Sequence, residues 1–325
     1  MSLSDTDRES LLALAERGAL SRGQLDRASR IVPLAPSGEA WLAAADRTLA
    51  VAGALLLAAG LIFFFAYNWD ALHRFTKLGL AGAALTACVG TAFATTPFGT
   101  AWRATLLAAS LATGALLALI GQTYQTGADI WELFAAWAAL MTPFALLARS
   151  SACWSLWLLV TNAALLRGLS QSAWLLFLGA LDRPGALFAI AGMNAAVLLA
   201  FEFAGSALLA LPRRHLQRLA GVGVLTPLAI GACIGWWNDD FLVLDAAFVA
   251  VAALSLQVYR VKRLDIPLLA ATVFSAIAVA AAGLGRLLGD AADFLAINAV
   301  AAFIIASTAF AGVWLKRLYQ EGRVK

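Results

Sequence analysis

The chain has 325 residues, 62% of them hydrophobic and 13% charged, with a mean hydropathy of +0.83. Soluble domains carry about 25% charged residues, so the composition excludes a soluble globular chain. The net charge of +4 would suggest a nucleic-acid partner in a soluble protein. In a membrane protein it reflects the basic bias of the cytoplasmic side, and no nucleic acid is expected.

Residues 1–46 are the only sizeable soluble segment, expected as a short cytoplasmic helical hairpin with helices near 7–17 and 22–32. Thr6-x-x-Glu9 and Ser21-x-x-Gln24 are capping-box patterns, and Gly18 is placed to end the first helix. Pro33, Pro36, Ser37 and Gly38 form a linker. Arg22, Arg27 and Arg30 on the second helix evoke a helix-turn-helix reader, but the third packing helix that such a reader needs is missing. A surface-lying or partner-docking hairpin is the better reading, with residues 1–35 as the surface for a cytoplasmic protein partner. The short basic start and immediate apolar core of a signal peptide are absent, so the first span is expected to stay uncleaved.

The rest, 47–325, reads as one transmembrane helical domain. Apolar runs fall near 48–67, 78–96, 104–121, 131–148, 152–167, 185–204, 218–237, 241–258, 266–284 and 294–315. About 20 residues cross a hydrocarbon core of about 30 Å, so these are ten candidate spans. Continuous apolar blocks rather than alternating ones argue for helices over a barrel. Residues 173–181 are too short to span and are expected to lie in the interface or re-enter. With the N-terminus inside, eighteen of the 23 Lys and Arg fall on the inner side and five on the outer. That bias predicts an N-in, C-in, all-α polytopic bundle. Trp41, Trp69, Trp102, Trp131, Trp154, Trp174, Trp236, Trp237 and Trp314 fall near span ends, where amphipathic rings prefer to sit.

Two polar interruptions stand out. Phe63–Leu80 reads FFFAYNWDALHRFTKLGL, and Gly121–Ala138 reads GQTYQTGADIWELFAAWA one hairpin later. Both are expected at outer-facing turns. Asn68 is read as a left-handed residue ending a helix, Asp70 as the cap of a short helix running to Lys77, and Asp129-x-x-Glu132 as a capping box. Caps leave unexplained the consecutive hydrogen-bonding side chains Gln122, Thr123, Tyr124, Gln125 and Thr126, which are expensive at a span end unless they pair with one another, water or a ligand. The candidate outer-face binding residues are therefore Tyr67, Asn68, Trp69, Asp70, His73, Arg74, Gln122, Tyr124, Gln125 and Asp129. Aromatic rings beside amides suit a sugar or other ring with hydroxyls. Asp182, Asp239, Asp240, Asp290 and Asp293 add to an acidic outer rim. A merely solvated rim explains these carboxylates as well.

Within the spans, Asn162, Asn194 and Asn298 are expected to bond neighbouring helices. Glu202 is expected to pair with Arg213 or Arg214. Asp245 reads as a capping or pairing carboxylate, and is otherwise the best candidate for a proton- or ion-linked one. Pro143 and Pro227 are expected to kink the fourth and seventh spans, Pro184 and Pro267 fall at first-turn positions where proline is tolerated, and Gly231-x-x-x-Gly235 is a close-packing pattern. Cys88, Cys153 and Cys233 lie in separate spans without metal-ligand spacing, so no metal or disulfide is expected. No GxSxG, HExxH, P-loop or dinucleotide fingerprint occurs, and neither a catalytic residue nor a cofactor is assigned.

The two motifs resemble a bacterial membrane-protein family known as domain of unknown function 2157, best over about residues 1–150. The resemblance implies a multi-pass bacterial inner-membrane protein and brings no activity. The expected function is binding or transport of a small polar or lipid-linked molecule through an outward-facing polar pocket. The alternative is a non-enzymatic scaffold or sensor whose N-terminal hairpin docks a partner. An outer-face enzyme using Asp70 or His73 stands third.

Overall fold

A computed structural model describes residues 24, 27, 28, 38–68, 72–124, 127, 129–170, 183–210, 214–289 and 294–322. Most of the expected hairpin, together with Trp69, Asp70, Gln125, Arg213 and the 173–181 segment, lies outside the described residues. The described chain is helical, without strands. Ten of its helices are long and apolar enough to cross a membrane. They are α1 (Gly38–Tyr67), α2 (Arg74–Ala94), α3 (Thr100–Tyr124), α4 (Ile130–Ala148), α5 (Ser151–Leu169), α6 (Pro184–Phe203), α7 (His215–Gly235), α8 (Leu242–Gln257, whose span extends over Asp239–Val261 through the turns at its two ends), α9 (Ile266–Leu287) and α10 (Phe294–Gly322). The span expected from 78 begins earlier, at Arg74, which draws Lys77 into the helix. A single 3-10 turn, Asp239–Phe241, leads into α8, and a π turn, Val258–Lys262, follows it.

Local chemistry accounts for these boundaries. The Ser150 hydroxyl accepts from the Ala152 N–H at the head of α5, and the Asp265 carboxylate accepts from the Leu268 N–H at the head of α9. Pro184 and Pro267 occupy the first turns of α6 and α9, where a missing N–H costs nothing. Arg149 ends α4 in the left-handed conformation. Pro143 and Pro227 lie inside the continuous helices α4 and α7. Hydrocarbon supplies no hydrogen bonds, and the hydroxyls of Ser110, Thr113, Thr142, Thr161 and Thr272 accordingly donate to the carbonyl four residues back.

Three of the cap expectations are corrected. Asn68 is not left-handed. Its backbone N–H and side-chain amide both donate to the Phe64 carbonyl, at 3.1 and 2.9 Å, which closes α1 by back-bonding instead. The cap of α2 is His73, whose Nδ1 accepts from the Phe75 N–H at 3.4 Å. Asp129 does occupy the N-cap position of α4, but its side chain makes no cap hydrogen bond.

The chain divides into two compact units, Met1–Leu49 with Lys316–Lys325, and Ala50–Leu315. In the first, Arg47 and Thr48 donate to the carbonyls of Ala43 and Ala44 along α1. In the second, α7 and α3 are the organising helices: 56% and 50% of their apolar windows are buried, against 11% for α1 and α10. Helix α7 packs on α6, α8 and α9, and α3 on α2 and α4. One apolar cluster joins Trp102 and Leu106 of α3, Cys153 and Leu158 of α5, Phe201 of α6 and Leu216 of α7. A second joins Leu187, Leu228, Phe241, Leu244 and Phe248.

Close approach of α7 to its neighbours depends on its small residues. At Gly231 an added Cβ would lie 2.6 Å from the buried Leu244, and at Gly235 2.5 Å from the Asp245 carboxylate, as the GxxxG pattern predicts. Tryptophan N–H groups bridge other pairs: Trp137 donates to Ser110 O at 2.8 Å, Trp236 to Val279 O at 3.1 Å and Trp157 to Thr142 Oγ1 at 3.0 Å. Asn162 and Asn194 form a reciprocal amide pair between α5 and α6, at 3.2 and 2.8 Å. Among the described residues, Asn298 bonds back to Phe294 in its own helix rather than to a neighbouring one. Interhelical hydrogen bonds in membranes average about 0.6 and reach about 1.7 kcal/mol. Asn194→Ala should therefore destabilise the protein by about 1–2 kcal/mol in detergent unfolding, and an unchanged transition would refute that role for the pair.

Candidate functional site

The sequence motifs converge on the end of the bundle where α1 and α3 stop and α2 and α4 start. Phe65 of α1, Ala81 of α2 and Leu119 of α3 form one buried cluster, with Leu72 and Leu116 packed against it. The described candidate residues lie at or beside the ends of the helices that supply this cluster. Tyr67 is 91% exposed, Tyr124 52%, and His73, Arg74, Gln122 and Asp129 are also exposed, while Asn68 is half-buried. The Arg74 guanidinium lies 5.0 Å over the Phe75 ring, and the His73 ring is 5.3 Å from it. Among the described residues, none of these seven side chains hydrogen-bonds another.

Below them lies a cavity of about 450 Å³ between α1, α3 and α4, with Ala84 and Cys88 of α2 completing it. Its wall includes Leu57, Leu61, Phe65, Leu111, Ala115 and Trp137, and Gln122 is the only amide side chain in it. Trp137 can lie flat here because position 114 is glycine; an added Cβ would fall within 2.6 Å of several ring atoms. Among the described candidates, Gln122 alone belongs to the wall of this apolar recess. Lys77, in the first turn of α2, is buried, only 7% exposed. Because the spanning helix begins at Arg74 rather than 78, a cation expected at the end of a short separate helix becomes part of the packed end.

A second polar assembly lies where α6 and α8 end and α7 and α9 begin. Glu202 accepts from Arg214 Nη2 at 2.6 Å, from the Tyr259 hydroxyl at 3.2 Å and from Arg263 Nη1. Asp265, whose side chain is 1% exposed, accepts from Arg214 Nε at 2.7 Å and from Arg218 Nε at 3.0 Å. Burial alone would lower the Arg214 pKa, but the two carboxylates outweigh it and hold the guanidinium above its ordinary value. The π turn brings Tyr259 and Arg263 into this network, with the Arg263 N–H bonding Val258 O at 2.9 Å. Such wide turns often mark functional segments. The pairing expected for Glu202 is present with Arg214. Sequence reasoning missed Arg218, Tyr259, Arg263 and Asp265; the available signal was a carboxylate at 265 set among Arg260, Lys262 and Arg263.

Asp245 departs from expectation. It lies in the first turn of α8 against Gly235, makes no cap, and its Oδ1 is buried without a hydrogen-bond partner. Close packing, rather than pairing, decides its position. Among the described residues no cluster of three or more His, Cys, Asp or Glu has metal-site geometry.

Ten apolar spans, with hydroxyls bonded back along their own helices or to a neighbouring helix, define a multi-pass integral membrane protein. Residues 12–154 match the model of a family described as "Predicted membrane protein (DUF2157)", a span that contains both polar motifs and bears out the resemblance they carry. The Glu202–Asp265 network falls beyond the matched residues. No curated protein and no solved structure matches the chain.

Proposed function

We propose that the protein binds, and moves or presents, a lipid-linked or otherwise amphiphilic molecule. Its polar part would meet the turns at Tyr67–Arg74 and Gln122–Asp129, and its apolar part would enter the recess between α1, α3 and α4. The observation that carries this reading is the form of the cavity, about 450 Å³ of almost wholly apolar wall with Gln122 at the polar turn. A free sugar or ion would gain little from such a wall, whereas an acyl or prenyl chain would fill it. Exposed rings beside amides suit the head of such a molecule, because aromatic faces stack while amides hydrogen-bond. The basic-residue bias supports an N-in, C-in orientation in a bacterial inner membrane, which sets these turns on the outer side.

Filling the recess tests the reading. Ala115→Phe should lower the amount of lipid-linked material co-purifying with the protein several-fold, read by mass spectrometry of the purified complex. Ala139→Phe, in the separate groove between α4 and α5, should leave it unchanged. Equal retention in Ala115→Phe and wild type would sink the proposal. A scaffold or sensor that docks a partner through residues 1–35 is the second reading, supported by the sparse burial of α1 and α10, 11% each. Deleting residues 1–35 should then abolish partner capture while leaving membrane insertion intact.

A further inference from the structure

We propose that the groove between α6, α7, α8 and α9 is a binding site for one anionic phospholipid, its phosphate against Arg263 and an acyl chain along the helices. The inference stands apart from the proposed function, because it uses other helices.

The groove encloses about 350 Å³, within the range of about 300–1,000 Å³ common for small-molecule sites. Its body is apolar, walled by Leu198, Leu225, Val251, Leu254 and Leu268. Its polar groups gather at one end, Glu202, Tyr259 and Arg263, while the Ser255 hydroxyl is engaged with Thr272 at 2.7 Å. A recess that is apolar along its length and charged at one end fits an amphiphile.

The sign of the head group follows from which donors and acceptors remain. Both Glu202 oxygens already accept, one from Arg214 and Tyr259 and the other from Arg263. Both Asp265 oxygens accept as well. The carboxylates are therefore committed. The guanidiniums are not: each has five N–H donors, and Arg263 and Arg218 commit only Nη1 and Nε respectively. Arg263 is also the most open of the three, with its side chain 53% exposed. Three guanidiniums, those of Arg214, Arg218 and Arg263, pair with the two carboxylates of Glu202 and Asp265. The excess is one positive charge, with unused Arg263 donors at the groove's mouth. An acceptor-rich anion complements that, and guanidinium forks are well matched to phosphate. Basic pockets between helix ends are a recognised way to hold anionic head groups.

The test uses the full-length purified protein in neutral detergent, offered phosphatidylglycerol or phosphatidylcholine of the same acyl chains and read by native mass spectrometry. One phosphatidylglycerol per chain should survive activation that strips phosphatidylcholine. Arg263→Ala should lower the retained fraction about tenfold. Val251→Trp fills the groove without touching an ion pair, and should lower it similarly. Millimolar inorganic phosphate should not displace the lipid, because the acyl chain contributes binding that a free ion lacks. The proposal is overturned if the two lipids are retained alike, if Val251→Trp keeps phosphatidylglycerol at the wild-type level, or if phosphate alone competes it away.

Discussion

Replacement of Asp265 by alanine is expected to destabilise the folded protein by about 3–5 kcal/mol, the largest single effect in the molecule. Asp265 is buried, its side chain 1% exposed, and two guanidiniums depend on it: Arg214 at 2.7 Å and Arg218 at 3.0 Å. It also accepts the Leu268 N–H that opens α9. Alanine would remove the counter-charge and leave Arg214, half-buried, held only by Glu202. Breaking one side of a buried pair costs more than the pair is worth, because the remaining charge stays desolvated. Asp265→Asn keeps an acceptor for the cap and should lose less. Unfolding monitored in mixed detergent would measure both, and a midpoint for Asp265→Ala equal to wild type would refute this account. Since the pairs are not lipid-facing decoration but tie α6, α7 and α9 together, the loss should appear in the global transition.

Gly223→Ala should cost about 2–4 kcal/mol, combining overpacking with loss of an interhelical amide pair. A Cβ at this position would sit 2.5 Å from the Asn194 amide carbon and 3.1 Å from its nitrogen. Asn194 is 1% exposed and is held by Asn162 and by the Ile190 carbonyl, so it has little room to move. The α6–α7 contact must then open, or the Asn162–Asn194 pair must break. A double-mutant cycle separates the causes. Asn194→Ala frees the space, so Gly223→Ala should be nearly neutral in that background. If the two substitutions simply add, the clash is not the reason for glycine at 223.

The ten spans were legible because each is a continuous apolar run of membrane-crossing length, a one-dimensional property. Both polar motifs were legible for the complementary reason: hydrogen-bonding groups at Asn68–Arg74 and Gln122–Asp129 break runs that are otherwise unbroken. Cap identities were less legible, since several polar residues compete near each helix start. His73 took the α2 cap, and Asn68 bonded back to Phe64 rather than turning left-handed. Helix onset moved too, and four residues' difference turned Lys77 from the end of a short turn helix into a buried residue of the span.

By itself, the sequence determined that this chain lives in a bilayer as about ten helices, and which polar residues interrupt them, because hydropathy and helix length suffice for both. Only the tertiary structure decided what those residues face. Whether Gln122 borders a polar pocket or an apolar recess depends on which helices flank it, and α1, α3 and α4 supply alanine, leucine and aromatic rings. The joining of Glu202, Arg214, Arg218, Arg263 and Asp265 is likewise a three-dimensional fact. These residues are up to sixty-three positions apart and meet because α6 to α9 bring four helix termini to one end. Charge pairing acts through space over a few ångströms, and no periodicity along the chain records it.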